Sequence, residues 1–548
     1  MQIRLSRLWA LSGAVSLAAC GDPLSVTNKN VVDVTSAQLT AQGIEQIIGK
    51  SFQAIFVGEY NNGDNIIMQA ANMSHESSSS LGNFAMGLRN GVPRVGIDNA
   101  RANTAAAGNN ADFSVLTRLA RQDVNALRAL DNIPSAAAPT AGRSRAFGYF
   151  VLGYAMGNLA AIYDSAAILT PSRTPADSLF DYQTVNVQAL AMLDSAIAIA
   201  RGPGGTSPNF PIPGDFLTGT AVDTTQFIRM VRSFKAKFRA GVARTPTERA
   251  TVNWDLVRAD AAAGVTSNIT VALDPSVGWS MNNTLVQLMV FLGWHQMPYM
   301  IIGMADTTGA YSTYLSLPIT GSPNRNGSNF LIRTPDKRFP AGETRAAQQT
   351  FQSDASPAPG VYFRNRPSGQ DTGNNADPWS NSQYDHFRFR PIRDNAGVGT
   401  WVLMSAAEIR MLQAEALMNV GRTAEAIPLI NVTRTANGLP AIPATALATD
   451  VVPGGTACVP RMPQPGVYTT SVCGTVFEAM KWEKRVETAL TGYAQWFLDS
   501  RGWGDLPAGT GVSWPVPYQE LDSRAKPLYN GTMVAGTSNY GLGRGAGF

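Results

Sequence analysis

Apolar side chains recur every three or four residues along several stretches of the chain, a spacing that predicts amphipathic α-helices. The clearest stretches lie at 113–130, 187–200 and 227–242. Their apolar positions are Phe113, Leu116, Leu119, Ala120, Leu127 and Leu130; Val187, Leu190, Leu193, Ile197 and Ala200; and Phe227, Met230, Val231, Phe234, Phe238 and Val242. A longer apolar helix is predicted over 143–169, where Gly and Ala allow neighbouring helices to approach closely.

The pattern changes between residues 268 and 400, where helical periodicity fades except at 282–293 and Gly, Pro, Asn and Ser become dense. Short β-like pieces such as 387–390 appear there. A loop region of this length in a compact chain is uncommon unless it is functional. Helices are predicted again at 405–420, 423–437 and 476–490, and the first two, joined across Gly421, indicate a degenerate tetratricopeptide-like pair.

These patterns divide the chain into five regions and predict a mainly α fold. We expect an N-terminal leader at 1–19, a polar tether at 20–40 and a helical region at 41–267. A loop-rich region with short β segments follows at 268–400, and a second helical region occupies 401–548. Tetratricopeptide-like helix pairs with an irregular, loop-rich part are therefore the predicted fold class.

The N-terminus has the features of a bacterial lipoprotein leader. Arg4 and Arg7 precede an apolar stretch at 8–19, which is too short to span a bilayer but suits a signal peptide. It ends in Leu-Ala-Ala-Cys, which resembles a lipobox, so we expect lipidation of Cys20. Gly21, rather than Asp, follows the cysteine and favours the outer membrane. The alternative is an incidental cysteine after an ordinary cleavage site.

Composition narrows the function further. The 548 residues include 43 Lys and Arg and 39 Asp and Glu, which gives a net charge of +4. Removal of Arg4 and Arg7 with the leader leaves too little positive charge for a protein that binds nucleic acid electrostatically. Three His and three Cys argue against a multi-His metal site or a zinc scaffold, and we expect no cofactor. In an exported protein, the two remaining cysteines, Cys458 and Cys473, predict a disulfide; two free thiols are the alternative.

Several motifs in the last 150 residues carry a family resemblance. They are WVLMSAAEIRMLQAEA at 401–416, INVTR at 430–434, NGL at 437–439, EKRVE at 483–487, WFLD at 496–499, RGWG at 501–504 and PVPYQEL at 515–521. In this order and spacing they resemble the C-terminal signature of the SusD/RagB family. Departures occur at Thr488, Thr491 and Gln495, where that family commonly has a second Glu and Arg around the glycine.

The same motifs have a structural interpretation from their residue types. Ala414 and Ala416 permit tight helix packing beside Glu408. Glu483 and Glu487, at i and i+4 with basic neighbours between them, predict an ion-paired helix surface. Trp482, Trp496 and Trp503 are expected in the core. The motifs are thus predicted to hold the scaffold together, and no catalytic residue is assigned.

The resemblance implies a function. Proteins of this family are surface lipoproteins that bind a nutrient, usually a glycan, above a TonB-dependent (SusC-like) outer-membrane transporter, and they are not enzymes. Their ligand site lies in the loop-rich part. We therefore expect a lipid-anchored outer-membrane protein facing the cell surface, with an oligosaccharide as ligand and the transporter as partner.

Sugar rings pack their C–H faces on aromatic rings while amides and carboxylates bind their hydroxyls. The loop-rich region is enriched in such residues, and Trp294, which follows an apolar stretch, is the leading candidate. The predicted ligand contacts are Trp294, Trp279, Tyr299, Gln296, Tyr311 and Trp379. A polar stretch at 61–84, with Asn72, His75 and Phe84, is predicted to form the opposite wall.

Two other functions stay open at this point. A helical-repeat scaffold that binds only protein would fit the departures in the signature. A glycoside hydrolase needs two carboxylates that are close in space, which the sequence alone does not reveal. A Ser-His-Asp triad would have to use His75, His295 or His386, and none lies near a G-x-S-x-G motif. Nucleotide binding is not indicated, because the chain has no G-x-x-x-x-G-K-[ST] motif.

Overall fold

The computed structural model describes residues 40–79, 81–91, 94–134, 140–172, 178–202, 210–285, 295–318, 325, 328–350, 360–367, 382–533 and 538–541. Over these ranges the chain is mainly helical. The helices of the first half are α1 Ala41–Asn61, α2 Ile66–Met73, α3 Met86–Asn90, α4 Ala106–Asp131, α5 Ala141–Ile162, α6 Tyr182–Arg201, α7 Thr224–Gly241, α8 Pro246–Ala250 and α9 Trp254–Ala262. Those of the second half are α10 Asn282–Thr284, α11 Tyr299–Ile302, α12 Ala310–Ser316, α13 Arg345–Thr350, α14 Arg390–Asp394, α15 Ala406–Asn419, α16 Thr423–Ala436, α17 Val476–Thr488, α18 Gln495–Trp503 and α19 Tyr518–Ser523.

The long helices form one continuous row. Each helix of the row packs against the next in the order α1, α4, α5, α6, α7, α9, α15 and α16. The row therefore goes directly from α9 to α15 and leaves out the loop-rich region between them in the sequence. Such stacking of helix pairs is how tetratricopeptide-like repeats bury a continuous core. The predicted pair around Gly421 is confirmed, since α15 and α16 pack together and Gly421 adopts a left-handed φ of 75° in the turn.

Local chemistry explains where the helices begin. Polar side chains precede the first turns and accept their free backbone N–H groups, which satisfies donors that lack an intrahelical partner. Asp223 and Gln226 form a reciprocal capping box at α7, and the side chains of Asp181, Ser405 and Thr475 accept from backbone N–H groups of α6, α15 and α17.

Glycines in α5 let its neighbours approach closely, as predicted. A Cβ on Gly153 would lie 2.6 Å from Leu193 Cδ2 of α6, and one on Gly157 would lie 2.3 Å from a ring carbon of Phe238 in α7. Any larger side chain would push these helices apart, so the cost of glycine in a helix is offset by contact.

The strands in the described ranges are short and form two-stranded antiparallel sheets. They are β1 Ser165–Ala166 with β2 Phe180–Asp181, β3 Ile269–Leu273 with β6 Gly399–Met404, β4 Phe363–Asn365 with β5 Tyr384–His386, and β7 Arg461–Pro463 with β8 Ser471–Cys473. The β3–β6 pair sets Val271 opposite Trp401 and so closes the two ends of the loop-rich region onto each other.

Buried apolar side chains form three clusters. The largest runs from Ala41 to Leu521 and follows the row of helices. A second joins the loop-rich region to Trp482 and Trp496, and a third lies among α15, α16 and α17 and includes Trp503. The prediction that these three tryptophans are core residues is confirmed. No helix in the described ranges is long and apolar enough to cross a membrane.

Several local predictions were wrong. The helix predicted over 143–169 ends at Ile162, because Tyr163 turns extended and bridges to Trp514. Val187 is 61 % exposed, since α6 buries the face carrying Val185, Ala189 and Leu193. Residues 387–389 form a turn into α14, and the neighbouring strand is instead β5. Of the helix predicted at 282–293, α10 lies in the described part and 286–293 lies outside it.

Candidate functional site

Trp279, predicted as a ligand contact, is a core residue in this structure. Its ring centroid lies 5.4 Å from that of Phe56 and 6.4 Å from that of Phe52, both on α1, and only 5 % of the residue is exposed. The backbone of Trp279 bridges to Asp274 and closes a tight turn that carries the ring inward. A sugar could not reach either ring face without the core opening.

Tyr299 and Tyr311 are also enclosed. The Tyr299 ring stacks on Phe330 with centroids 4.2 Å apart, and its hydroxyl donates to the Phe330 carbonyl (2.8 Å). The Tyr311 hydroxyl donates to the Met300 carbonyl (2.7 Å). Because each phenol has a backbone partner, both rings can be buried at little cost, and burial raises the pKa of both hydroxyls well above the usual value.

The two predicted walls of the site do meet. Ser78 and Gln296 exchange backbone hydrogen bonds (2.8 and 3.0 Å), and Asn72 Nδ2 lies 3.2 Å from His295 Nε2. The stretch predicted at 61–84 therefore lies directly beside the chain that follows Trp294. Trp294, Trp379 and Cys20 themselves lie outside the described residues.

An open cleft of about 400 Å³ lies on the first of these walls. It forms between the turn before α2, the segment leading into α3 and the start of α4. Its lining residues are Asp64, Gly82, Phe84, Ala85, Asn103, Thr104, Ala105, Ala107 and Gly108. Ala85, Asn103 and Ala105 also line a narrower recess that continues past Arg94 and Gly511.

Arg89 ties the sides of the cleft together. Its guanidinium donates to Asp64 Oδ1 (2.7 Å), to the Phe84 carbonyl (2.5 Å) and to the Ala105 carbonyl (3.5 Å). Burial raises the pKa of Asp64 above its usual value, and the charge of Arg89 opposes that shift. Gly108 permits this arrangement, because a Cβ there would lie 2.1 Å from Asp64 Oδ2.

The backbone at the rim of the cleft is held in an uncommon conformation. Phe84 and Ala85 both have left-handed φ angles, of 52° and 53°, which is unfavourable for residues with a Cβ. Such conformations persist when surrounding contacts enforce them and are concentrated at binding sites. Here they place a half-buried aromatic ring beside Asn103 and Asp64, and leave Leu88 of α3 59 % exposed.

A buried histidine contacts Arg94, which lines the recess behind the cleft. Arg94 Nη2 lies 2.6 Å from His75 Nε2, and since a guanidinium only donates, His75 Nε2 is the acceptor. Burial and the charge of Arg94 both lower the pKa of His75 well below its usual value, so the ring is neutral. His75 thus positions Arg94 and leaves the open surface to other side chains.

The sequence predicts Phe84 as part of a wall but does not single out the groups that hold it. Asp64 lies inside the polar stretch predicted as a wall, yet nothing in the sequence distinguishes it from its neighbours. Arg89 is 25 residues further on and has no motif around it. Only the fold brings the two together.

The C-terminal motifs lie away from the cleft and form buried ion pairs. Glu408 lies 3.5 Å from Lys237, and Lys484 lies 2.8 Å from Asp499. The prediction of an ion-paired helix surface at 483–487 was half wrong: Glu483 and Glu487 do pair with Arg338 (2.9 and 3.1 Å), but the helix is buried between two cores. Residues at i and i+4 define one face of a helix without revealing what covers it.

The structure joins Cys458 and Cys473 in a disulfide with Cα atoms 5.7 Å apart. The bridge closes a loop that carries the β7–β8 hairpin. Within the described ranges, no group of three or more His, Cys, Asp and Glu side chains could hold a metal ion.

No protein-family model matches this sequence, and no curated protein matches it. Solved structures share its fold. A SusD homologue from Parabacteroides distasonis superposes with a TM-score of 0.50 at 13% identity, over 83% of this chain and 84% of that one. A SusD superfamily protein from Bacteroides thetaiotaomicron gives 0.49 at 13% identity (90% and 98% covered), and a SusD homologue from the same species gives 0.49 at 13% (91% and 98%). The first of these matches, with a TM-score of 0.50, shows that the chain has the SusD-like fold.

Proposed function

From this SusD-like fold and the matching signature motifs, we propose that the protein is a member of the SusD/RagB family that binds a nutrient glycan. In this proposal it is anchored to the outer membrane through a lipidated Cys20 and faces the cell surface. It passes the glycan to a TonB-dependent, SusC-like transporter and performs no chemistry on it.

The cleft beside α3 is the observation that carries the glycan part of the proposal. It combines a half-buried aromatic ring, Phe84, with the amide of Asn103 and the carboxylate of Asp64 around an open volume. A sugar presents a C–H face for the ring and hydroxyls for the amide and carboxylate. The strained rim and the Arg89 contacts hold these groups in place before any ligand arrives, which reduces the entropy lost on binding.

Trp294 remains the proposed aromatic contact from the second wall. The described chain resumes at His295 and Gln296, which contact Asn72 and Ser78 of the first wall, and these contacts support the proposal. The proposed ligand site therefore consists of Phe84 and Asn103 on one side and Trp294 on the other. Trp279, Tyr299 and Tyr311 support it from within the core.

A non-enzymatic role is consistent with the cleft itself. Asp64 is the one carboxylate among the described residues that line it, and Arg89 neutralises that group. A glycosidase needs two carboxylates across the scissile bond. The proposal therefore assigns Asp64 to hydroxyl binding.

A glycan array followed by calorimetric titration of the purified full-length protein tests this function. We expect one class of oligosaccharide to bind without release of shorter products. Trp294→Ala should weaken that binding by about 1–3 kcal/mol, by analogy with aromatic stacking on nucleobases, and leave the melting midpoint unchanged. Val187→Ala, at an exposed position of α6, is the control.

Anchoring and delivery have their own tests. Cys20→Ala should release the protein from membranes into the periplasm or medium, and unchanged membrane fractionation would contradict the lipobox interpretation. Crosslinking in cells should recover a TonB-dependent β-barrel with the wild type. If the array shows no glycan while the barrel is recovered, the protein is a scaffold and the glycan proposal fails.

A further inference from the structure

A large open groove lies along α4 and is separate from the proposed glycan cleft. It has a volume of about 1280 Å³ and runs between α4 and the α19 segment. Its lining residues are Asn110, Phe113, Ser114, Thr117, Arg118, Arg121, Gln122, Asn125, Ser178, Gln519, Glu520, Ser523, Arg524, Ala525 and Lys526.

Helix α4 contributes a polar stripe to this groove. Asn110, Ser114, Arg118, Arg121 and Asn125 recur at spacings of three and four residues, so they lie along one side of the helix. Facing them, Gln519 and Ser523 recur at the same spacing on α19. The groove therefore presents amides and hydroxyls from both walls along its length.

The charge of the groove is positive. Glu520 is paired with Arg524 (2.6 Å), and Asp522, next to the groove, is paired with Arg101. Arg118, Arg121 and Lys526 are exposed and have no ion-pair partner among the residues that the structure describes.

One buried hydroxyl in the groove wall has no partner. Thr117 is 9 % exposed, and its Oγ1 makes no hydrogen bond within the described protein; Gln519 Oε1, on the opposite wall, makes none either. A buried polar atom without a hydrogen bond costs free energy, and most such atoms in folded proteins are satisfied. Both atoms are enclosed in the groove wall, so a ligand that brings hydroxyl groups into the groove satisfies them only if these side chains rotate towards it.

We propose that this groove binds an anionic oligosaccharide, a chain of hexuronic acid units whose carboxylates meet Arg118, Arg121 and Lys526. The hydroxyls of such a chain match the amides and hydroxyls of both walls. An acidic peptide fits less well, because peptide recognition usually needs apolar anchor pockets and the one aromatic ring lining the groove, Phe113, is buried. The inference rests on the proposed glycan-binding function and adds a second, charge-selective site to it.

Titration of the full-length protein with an oligogalacturonate and with the matching uncharged galactose oligomer tests the proposal. We expect the oligogalacturonate to bind, the uncharged oligomer not to bind at the groove, and the affinity to fall as salt is raised from roughly 0.05 to 0.5 M, because the contacting charges are exposed. The double variant Arg118→Gln, Arg121→Gln should bind about tenfold more weakly. Arg201→Gln removes an exposed arginine at the end of α6 and serves as the control.

Thr117→Val separates binding from folding. Since the hydroxyl has no partner in the described protein, its loss should leave the melting midpoint unchanged or raised while it weakens oligogalacturonate binding. Unaltered binding would contradict the assignment of this hydroxyl to the site.

The outcomes also separate this site from the cleft. The groove proposal is overturned if oligogalacturonate binding is lost in Phe84→Ala but kept in the double variant Arg118→Gln, Arg121→Gln. It is also overturned if the wild type does not bind oligogalacturonate, or if Arg201→Gln loses as much binding as the double variant. Binding of a neutral glycan that is weakened in Phe84→Ala and unchanged in the arginine variants would support the proposed function, whatever the result at the groove.

Discussion

Glu415 and Arg249 lie 166 residues apart in the sequence and form a buried bidentate ion pair. Arg249 Nε and Nη2 donate to the two carboxylate oxygens of Glu415 at 2.7 and 2.8 Å, and the indole N–H of Trp503 donates to the same carboxylate at 2.8 Å. Two of the signature motifs, AEA at 414–416 and RGWG at 501–504, thus converge on one arginine from the N-terminal half. The motifs that carry the family resemblance hold α8, α15 and α18 together.

Glu415→Ala should therefore be strongly destabilising. It leaves the buried Trp503 indole without its acceptor and Arg249 with only the longer pair to Asp499 (3.3 Å), and removing one partner of a buried pair costs about 3–5 kcal/mol. Urea denaturation followed by circular dichroism measures the loss. Glu425→Ala, which breaks the exposed pair with Arg422, is the matched control and should cost much less, because exposed ion pairs contribute little to stability. Equal losses in the two variants would contradict the assigned role.

Phe84→Ala should weaken glycan binding with little effect on stability. The ring lines the open cleft and packs against the core with only part of its surface, so its removal takes away a stacking surface worth about 1–3 kcal/mol of binding, by analogy with other aromatic platforms, and leaves no enclosed cavity. Calorimetry with a glycan that the wild type binds gives the affinity, and a thermal melt gives the stability. Leu256→Ala removes an exposed apolar side chain of α9 and should change neither. Wild-type affinity in Phe84→Ala would refute this placement of the site.

Stability should depend on pH through Glu76. This carboxyl is 4 % exposed and accepts the backbone N–H of Leu490 (2.6 Å), and burial raises its pKa from 4.5 to about 8. The folded protein therefore keeps a proton that the unfolded chain releases above pH 4.5. This stabilisation is fully present below pH 4.5, declines as the pH rises by at most about 1.4 kcal/mol per pH unit, and is lost above pH 8.

Glu76→Gln replaces the titrating group with a neutral amide of similar shape. Relative to the wild type, the variant should gain stability steadily between pH 4.5 and 8 in urea denaturation. Asp112, whose pKa burial raises to about 7, keeps part of the pH dependence in both proteins and cancels in the comparison. A difference between the two proteins that does not change with pH would show that Glu76 is ionised in the folded state.

The Cys458–Cys473 bridge should contribute measurably to stability. Closing a loop of about 15 residues is worth about 3 kcal/mol in the chain-entropy treatment, and the double variant Cys458→Ala, Cys473→Ala should lose up to that amount. Mass spectrometry of unreduced peptides from the exported protein should show the two cysteines linked. Two thiols that can be alkylated without reduction would contradict the bridge.

Periodicity along the chain determined the helices and much of the core. The spacing of Phe227, Met230, Val231, Phe234 and Phe238 predicts the buried face of α7, and all five are buried. Caps such as Asp223 and Ser405 are likewise local, since they act on backbone groups within three residues. These features follow from the sequence because a helix brings i, i+3 and i+4 together whatever surrounds it.

Only the tertiary structure decided which aromatic and charged residues are accessible. Trp279, Tyr299 and Tyr311 lie in loop-rich sequence that suggests exposure, yet helix α1 and the Phe330 segment cover their rings. The Glu483–Glu487 face is buried because Arg338, about 145 residues earlier, reaches it. Asp64 and Arg89 form part of a cleft only because Gly108, which has no side chain, lets α4 come close to Asp64. Burial depends on what packs opposite a residue, and that partner is set by long-range contacts that no local pattern encodes.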